Sequence, residues 1–178
     1  AMPVYETKIA NPESGMEMPA GEPGELWVRG GHVIRGYLNR EEATAETIVD
    51  GWLRTGDMAR KDDDGFLYIV DRIKDMVLRG GENIFCAEVE SAIFNHEDVA
   101  ECTVFGVPDD RLGEEVGIAV FLKSGATANA DTLREHCASQ LAKFKVPRYF
   151  WFVEAALPRN ASGKFLKREL RDSLELND

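Results

Sequence analysis

The alternation of apolar and polar residues predicts that the chain begins with β-strands. GELWVRG (24–30) alternates as a half-buried strand does, and the apolar run FLYIVD (66–71) predicts a second strand. The Asp-Gly pair in DDDGF (62–66), directly before that run, is a hairpin signal. REEATAETI (40–48) has the composition of a helix, and DGWLRTGD (50–57) is rich in turn-forming residues. This part of the chain is therefore predicted to be mostly β.

A change of pattern after Asp71 predicts a domain boundary, with residues 1–72 in one part and residues 73–178 in another. The second part alternates strands with helices and is predicted to be a compact α+β unit. Its predicted elements are a strand in MVLRGGENIF (76–85) that ends in a glycine pair, a helix at 86–96, strands at 100–108 and 115–123, a helix at 130–144, a strand at 148–153 and a last helix from about Phe165. Two rows of apolar residues at helical spacing mark the buried faces of the first two helices: Val89, Ala92 and Ile93, and Leu133, Cys137 and Leu141.

Composition narrows the class of protein. The 178 residues carry a net charge of −11, which argues against a nucleic-acid partner and against attraction to anionic membranes. The charge is uneven, because residues 141–171 hold eight basic and two acidic side chains, a net charge of +6. This stretch is either a solvated basic surface or a local site for phosphates.

Other residue types exclude several kinds of site. Cys86, Cys102 and Cys137 form no CxxC pair, which suits a reducing compartment and, with no secretory signal, predicts a cytoplasmic protein. No apolar stretch reaches transmembrane length. The three histidines are scattered without metal-ligand spacing, so no metal site is predicted, and no nucleophile–histidine pairing is evident.

Two stretches offer groups for a nucleotide. In DGWLRTGD, Asp57 follows Thr55 and Gly56 on a sharp turn, where its carboxylate could accept hydrogen bonds from a vicinal diol such as a ribose; the alternative is an aspartate that caps its own turn. In YIVDRIKDMVLRGGENI, Arg72 could reach a phosphate or ribose oxygen, and Gly80-Gly81 would allow close approach to the backbone. The alternative there is a hairpin corner with solvated charges.

A third stretch, PRNASGKFLKREL, offers a cation. Small residues before Lys164 could extend it from the domain, and a lysine suits the stabilisation of charge that develops on a phosphoryl or acyl oxygen. A basic C-terminal helix with a flexible entry is the alternative. The stretch is not a Walker phosphate loop, because Phe165 follows the lysine and Pro158 stands where the loop needs its first glycine.

The three stretches together resemble the C-terminal part of the adenylate-forming superfamily, which includes acyl-CoA synthetases, peptide-synthetase adenylation domains and luciferases. The resemblance covers nearly the whole chain, through GELWVRG…GYLNREEAT, DGWLRTGD, DGFLYIVDRIKDMVLRGGENIFCAEVE, VFGVPDDRLGE and FKVPRYFWFVEAALPRNASGK. DRIKDMVLRGGENI and GVPDDRLGEE are most similar to the fatty-acid and aryl-acid CoA ligases. The resemblance implies a mobile C-terminal lid domain, with a three-stranded sheet, flanking helices and a short hairpin, after the mostly β end of a large AMP-binding domain.

The resemblance also implies roles for individual residues. Asp57 would hold the ATP ribose hydroxyls, Arg72 would contact the nucleotide near its ribose and phosphates, and Lys74 would be the position about which the small domain swings. Gly80 and Gly81 would line the pantetheine tunnel of CoA. Lys164 would be the catalytic lysine that bridges the carboxylate substrate and the α-phosphate. Residues that would meet the CoA phosphates are Lys143, Lys145 and Arg148.

The implied activity belongs to a longer protein. The family's phosphate-gripping loop, its magnesium-holding Glu and its acyl pocket should lie upstream and do not occur in this sequence, so we expect a C-terminal fragment that is inactive alone. The parent would use ATP, Mg²⁺ and CoA to convert a carboxylic acid, expected to be a fatty acid, into acyl-AMP and then acyl-CoA. The alternatives are an adenylation domain that loads a carrier-protein thiol and a non-catalytic binding module. The sequence leaves the identity of the acid and the oligomeric state open.

Overall fold

The computed structural model describes residues 5–174, in which the chain forms two compact units that divide between Lys74 and Asp75. The first unit is an antiparallel sheet with one short helix. Its elements are β1 (Tyr5–Ala10), β2 (Gly24–Gly30), α1 (Glu41–Thr47), β3 (Ile48–Val49), β4 (Trp52–Lys61) and β5 (Leu67–Arg72). The strands follow the order β1-β2-β4-β3, and β5 also pairs with β4. The buried core of this sheet consists of Ile9, Leu26 and Ala59.

One prediction for this unit was wrong. The turn-rich stretch 50–57 is mostly strand, because β4 begins at Trp52. Only Asp50 and Gly51 turn, both with positive φ (51° and 78°), in a two-residue hairpin loop between the paired residues Val49 and Trp52. Such a loop matches the twist of the strands on either side, so β4 can start immediately after it.

The second unit has a five-stranded sheet with helices. Its elements are β6 (Val77–Arg79), β7 (Glu82–Ile84), α2 (Cys86–Phe94), β8 (Val99–Asp109), β9 (Gly113–Leu122), α3 (Ala130–Ala138), β10 (Tyr149–Val153) and α4 (Lys167–Ser173). Strand β9 is central, with antiparallel β8 along one edge and parallel β10 along the other. The β6–β7 hairpin joins the same sheet through Arg79 and Gly113. The predicted α+β class, a three-stranded sheet with helices and a short hairpin, is confirmed.

Alternation along β8 and β9 separates two cores on the two faces of this sheet. Val104 and Ile118 face the main core, where α2 and α3 pack with the predicted rows of apolar residues. Phe105 and Ala119 point the other way and pack with Leu170 of α4. Because both faces are covered, the middle of each strand reads as a continuous apolar run rather than an alternating one.

Two elements differ from the sequence-based expectation. The strand predicted at 76–85 is a hairpin, since Gly80 and Gly81 both have positive φ (58° and 89°) and reverse the chain. Helix α3 ends at Ala138 rather than at 144. Leu141 lies after the helix and Phe144 lies in a separate 3₁₀ turn (Lys143–Lys145), and both pack against the main core. No helix among residues 5–174 is long and apolar enough to span a membrane.

Candidate functional site

Asp57 and Arg72, the two residues proposed for the nucleotide, lie directly opposite each other on β4 and β5. The Arg72 Nε lies 3.0 Å from Asp57 Oδ1, and both side chains are partly exposed, at 54% for the arginine and 35% for the aspartate. The pair therefore presents a carboxylate and a guanidinium side by side at the surface of the first unit. The sequence could not show this contact, because it depends on the register between two strands.

A bulge in β4 places Asp57 at this position. Three residues of β4, Thr55 to Asp57, stand opposite the single residue Leu26 of β2. Gly56 has φ +73°, a conformation that suits a residue without a side chain. The Thr55 hydroxyl closes the bulge by donating to the Leu26 carbonyl (2.8 Å) and accepting from the Asp57 amide (3.1 Å). Bulges re-aim side chains in this way.

Glu25, which the sequence analysis did not single out, lies under this bulge. It is only 2% exposed although it carries a carboxylate. Its Oε2 accepts from Trp27 Nε1 and Arg54 Nε, both at 2.9 Å, and its Oε1 accepts from the Gly56 amide at 3.1 Å. The only sequence signal was a charged residue on the same strand face as a tryptophan two positions later. That signal does not identify the partners across the sheet.

The turn that carries Lys164 is closed by hydrogen bonds and is not an open extension. Asn160 Oδ1 accepts from the Ser162 amide (3.0 Å), the Ser162 hydroxyl (2.8 Å) and the Lys164 amide (2.9 Å). The Asn160 amide in turn donates to the Lys164 carbonyl (2.9 Å), and Gly163 takes φ +81°. One asparagine side chain thus fixes the backbone at the lysine.

Arg159 fastens this turn to the sheet of the second unit. Its guanidinium donates to Glu101 Oε1 of β8 (2.9 Å) and to the Gly163 carbonyl (3.0 Å), and it lies 3.9 Å from the centre of the Phe165 ring. The Leu157 amide, together with Arg159, holds the pKa of Glu101 below its usual range. Arg159 therefore links the lysine turn, through the Gly163 carbonyl, to Glu101 on β8.

The Lys164 side chain itself is loosely held. Its Nζ lies 3.7 Å from Asp75 Oδ2, and 54% of the side chain is exposed. An exposed ion pair at this separation contributes about 0–1 kcal/mol. The amine is thus carried on a fixed backbone but is free to leave Asp75 for another anion.

The residues proposed for the hinge and for the pantetheine tunnel lie in two turns. Lys74 lies in a short 3₁₀ turn, Ile73–Asp75, at the division between the units, and Gly80 and Gly81 form the tip of the β6–β7 hairpin. The Gly80 amide donates to the Leu112 carbonyl (2.8 Å), which ties this tip to the loop before β9.

Most of the basic stretch 141–171 is paired with acidic residues. Lys145 contacts both carboxylate oxygens of Glu88 (2.8 and 2.7 Å), and Arg148 lies 3.4 Å from Asp109. Backbone amides of Leu112 and Arg111 and the nearby Arg148 hold the pKa of Asp109 below its usual range. Lys143 is exposed and makes no ion pair with residues 5–174. The excess charge of +6 is thus largely balanced by neighbours rather than gathered into one phosphate site.

Metal binding has no obvious place in the part of the chain that is described. Among residues 5–174 no group of three or more His, Cys, Asp or Glu side chains could hold a metal ion. The three cysteines are buried, and the Cys86 thiol donates to the Asp75 carbonyl (2.8 Å).

Comparison with known proteins identifies the family. Residues 88–164 match the AMP-binding enzyme C-terminal domain. The chain is 44% identical over 173 residues to the 2-succinylbenzoate–CoA ligase of Bacillus cereus, covering 97% of this chain and 35% of that enzyme. It is 45% identical over 175 residues to the mitochondrial medium-chain acyl-CoA ligase of Mus musculus, covering 98% of this chain and 28% of that enzyme.

Comparison with solved structures finds the same group of enzymes. The ATP-bound MatB from Rhodopseudomonas palustris superposes with a TM-score of 0.92 at 37% identity, over 97% of this chain and 34% of that one. The o-succinylbenzoate CoA synthetase (MenE) from Bacillus subtilis, in complex with its acyl-adenylate intermediate, superposes with a TM-score of 0.86 at 39% identity, over 97% and 34%. The chain spans about a third of the length of these relatives.

Fold and relatives therefore indicate one class of protein, the adenylate-forming enzymes. Residues 88–164 belong to the AMP-binding enzyme C-terminal domain family, and nearly the whole chain is similar to acyl-CoA ligases over about a third of their length.

Proposed function

We propose that the chain is the C-terminal part of an AMP-forming acid–thiol ligase. The ligase activates a carboxylic acid with ATP, giving acyl-AMP and pyrophosphate, and then transfers the acyl group to CoA. The observation that carries the proposal is the Asp57–Arg72 pair, held at 3.0 Å on a strand bulge in a relative of CoA ligases.

The chemistry of this pair fits a nucleotide. A carboxylate can accept two hydrogen bonds from a vicinal diol, so Asp57 would hold the two ribose hydroxyls of ATP. A guanidinium presents several donors in a rigid fork, so Arg72 would orient the carboxylate and donate to oxygens of the nucleotide. Both side chains are partly exposed and so are accessible to a ligand.

Lys164 would act in the first chemical step. A carboxylate oxygen of the acid bonds to the α-phosphorus of ATP, the bond to the bridging oxygen breaks, and pyrophosphate leaves. Negative charge gathers on the oxygens around the α-phosphorus, and a positioned ammonium group lowers the barrier. The fixed backbone at Asn160 and the weak contact with Asp75 suit a lysine that must reach out to a substrate.

The second step needs a thiol in the same place. The sulfur of CoA attacks the acyl carbon, AMP leaves, and the thiol proton passes to solvent. For this step we propose that the second unit swings about Lys74 and that the hairpin tip at Gly80 and Gly81 lines the path of the pantetheine arm. Of the three basic residues considered for the CoA phosphates, Lys143 is the best placed, because Lys145 and Arg148 are already paired with acids.

The acid, the acceptor and the cofactor ligands are parts of the same proposal. Relatives named for 2-succinylbenzoate and for medium-chain acyl groups favour an aryl or fatty acid. One solved relative is an MenE complex with ATP and magnesium ion, which supports a Mg²⁺–ATP substrate here, with the magnesium ligand in another part of a longer protein. The sequence has three cysteines without a CxxC pair, which suits a reducing compartment and supports the expected cytoplasmic location.

Replacing Lys164 by alanine tests the proposal in the complete enzyme that contains this chain. We expect pyrophosphate release with ATP and the acid to fall by about 10²- to 10³-fold, the usual cost of removing one preorganised charge-stabilising group. Thioester formation from the isolated acyl-adenylate and CoA should change little. Lys123→Ala removes an exposed lysine directly after β9, whose Nζ donates to the Glu97 carbonyl (2.6 Å), and should leave both steps unchanged.

The same assays separate the alternatives. Pyrophosphate release at the parental rate by Lys164→Ala would contradict the role of Lys164. A carrier-protein thiol that replaces CoA as the better acceptor would point to an adenylation domain instead. Absence of pyrophosphate release by the unaltered enzyme, across a panel of aryl and fatty acids, would favour the non-catalytic binding module.

A further inference from the structure

Glu25 is a charged side chain in a place that normally excludes charge. It lies on β2 with 2% of its surface exposed. An ionised carboxylate removed from water is costly unless donors replace its hydration. Here the donors are an indole N–H, a guanidinium and a backbone amide, so the site is built for the charged form.

Two of these donors belong to the sheet, but the third belongs to the bulge. Trp27 lies two residues further along the same strand, and Arg54 lies opposite Trp27 on β4. Arg54 is itself held in place, because it also donates to the Pro12 carbonyl (3.0 Å). The indole and the guanidinium therefore fix the carboxylate, and its other oxygen is left to receive the Gly56 amide.

Glu25 provides a hydrogen-bond acceptor for a backbone amide of the bulge, that of Gly56. A bulge leaves its extra residues without ladder partners. The Leu26 carbonyl, which stands opposite the bulge, accepts the Thr55 hydroxyl. The Gly56 amide turns instead to Glu25 Oε1, and Asp57 follows one residue later, with its amide on Thr55 and its carboxylate on Arg72.

From this geometry we propose that Glu25 is a positioning residue for the nucleotide, which sets the orientation of Asp57 by holding the Gly56 amide of the bulge. The inference rests on the proposed function, because it takes Asp57 as the acceptor for the ribose hydroxyls. Glu25 itself touches no substrate. Its effect should therefore appear in how well the enzyme recognises the ribose.

Glutamine cannot replace glutamate here, although it has nearly the same shape. An amide has one oxygen and one NH₂ group. If the oxygen faces Gly56, the NH₂ group meets the donors of Trp27 and Arg54; if the amide is flipped, the NH₂ group meets the Gly56 N–H. In either orientation two donors face each other, so Glu25→Gln loosens the bulge without removing any side chain that would touch the ligand.

The test compares ATP with 2′-deoxy-ATP in the complete enzyme. The measured quantity is the ratio of kcat/KM for the two nucleotides in pyrophosphate release. Asp57→Ala should lower this preference for ATP by about 10- to 100-fold, the value of a hydrogen bond to a charged group. Glu25→Gln should lower it about three- to tenfold, part of the same effect. A variant that is only less stable has less active enzyme, which cancels in the ratio.

A matched control lies at the other end of the same sheet face. Glu6 is an exposed glutamate of β1 whose carboxylate pairs with Arg29. Glu6→Gln makes the same chemical change but touches no residue of the bulge, and it should leave the nucleotide preference unchanged.

If Glu25→Gln does not fold, Glu25→Asp is measured instead. This variant keeps the negative charge near Arg54 but shortens the side chain by one methylene, which withdraws the carboxylate from the Gly56 amide, and it should also lower the preference for ATP.

The outcomes distinguish the two levels of the argument. If Asp57→Ala lowers the preference and neither change at Glu25 does, the positioning role of Glu25 is wrong and the proposed function stands. If Asp57→Ala leaves the preference unchanged, the role of Asp57 in the proposed function is wrong, whatever Glu25 does. If Glu6→Gln has the same effect as Glu25→Gln, the effect is general to the sheet and the inference about Glu25 is overturned.

Discussion

At the scale of single residues, burial in this molecule leads to two opposite outcomes. Glu25 is buried with a full set of donors and suits a charge, whereas two buried thiols have no such donors and are held neutral. Burial raises the pKa of Cys102 to about 12, with further contributions from the nearby Glu90 and Cys137. Burial alone raises the pKa of Cys137 to about 11. The partners of a buried group therefore decide its charge.

These thiols predict a loss of stability at alkaline pH. The unfolded chain ionises both thiols near their ordinary pKa of 9.0, while the folded chain keeps the protons until about 12 and about 11. Because the unfolded state then binds fewer protons, the free energy of unfolding falls as the pH rises above about 9. Each thiol contributes a slope of up to about 1.4 kcal/mol per pH unit in this window.

Urea unfolding of the 178-residue chain between pH 7 and pH 10.5 measures this slope. The double variant Cys102→Ala/Cys137→Ala should be less stable at pH 7, because each change removes a buried sulfur, but should lose less stability on going to pH 10.5. Lysines and tyrosines that titrate in the same range contribute equally to both proteins. Parallel stability curves for the two proteins would show that the thiols are not the cause.

The sequence allowed individual reactive residues to be named but not their partners. Asp57 and Arg72 were singled out in separate stretches, and the register of β4 against β5 then paired them. Lys164 was expected on a flexible extension, yet the Asn160 side chain closes the turn. Glu25 was missed altogether, because its function depends on the two donors of Arg54 and Gly56, about thirty positions away.

At the scale of elements, glycines with positive φ decide where strands reverse or bulge. Gly80 and Gly81 form the two-residue loop between β6 and β7, where both positions need a positive φ. A Cβ added at Gly80 would lie 3.1 Å from Leu112 Cδ2, but one added at Gly81 would meet nothing within 4 Å. A substitution at Gly81 therefore tests the strain of the backbone conformation without a steric clash of the new side chain.

Substitutions at Gly81 predict an order of stability. Gly81→Ala should lower the free energy of unfolding by about 1 kcal/mol, because alanine is strained at this φ of +89°. Gly81→Asn should cost less, since asparagine tolerates the left-handed conformation better. Gly80→Ala should cost more than Gly81→Ala, because it adds the contact with Leu112. Urea unfolding measures all three, and an alanine at 81 that is as stable as the parent or more stable than asparagine would contradict the assignment.

The same glycines explain where sequence patterns misplaced the elements. MVLRGGENIF was predicted as a strand that ends in a glycine pair, but two adjacent positive φ angles reverse the chain there and a second strand, β7, follows. DGWLRTGD was predicted as turn because it holds two glycines, but Gly51 ends a loop and Gly56 only bulges a strand that continues. The number of glycines in a stretch does not decide whether it turns. A strand continues through a glycine when the residues before and after it still pair with neighbouring strands.

At the scale of the whole molecule, basic residues of the C-terminal segment form ion pairs with acidic residues from distant parts of the second unit. Glu88, Glu101 and Asp109 pair with Lys145, Arg159 and Arg148 in turn. The net charge of −11 therefore does not oppose the proposed contacts with anionic substrates, because the acids neutralise structural basic residues and leave Lys164 and Lys143 exposed. Composition showed the imbalance, but only the fold shows which charges are already satisfied.

The last prediction concerns the 178-residue chain by itself. Purified and folded, it should release no pyrophosphate with ATP, Mg²⁺ and a panel of aryl and fatty acids, because we propose that the acid and the metal are held by other parts of a protein about three times as long as this chain. A cooperative urea transition establishes that the sample is folded, and the complete enzyme serves as the positive control. Pyrophosphate release by the chain alone that disappears in Lys164→Ala would show instead that the groups for adenylation are all present here.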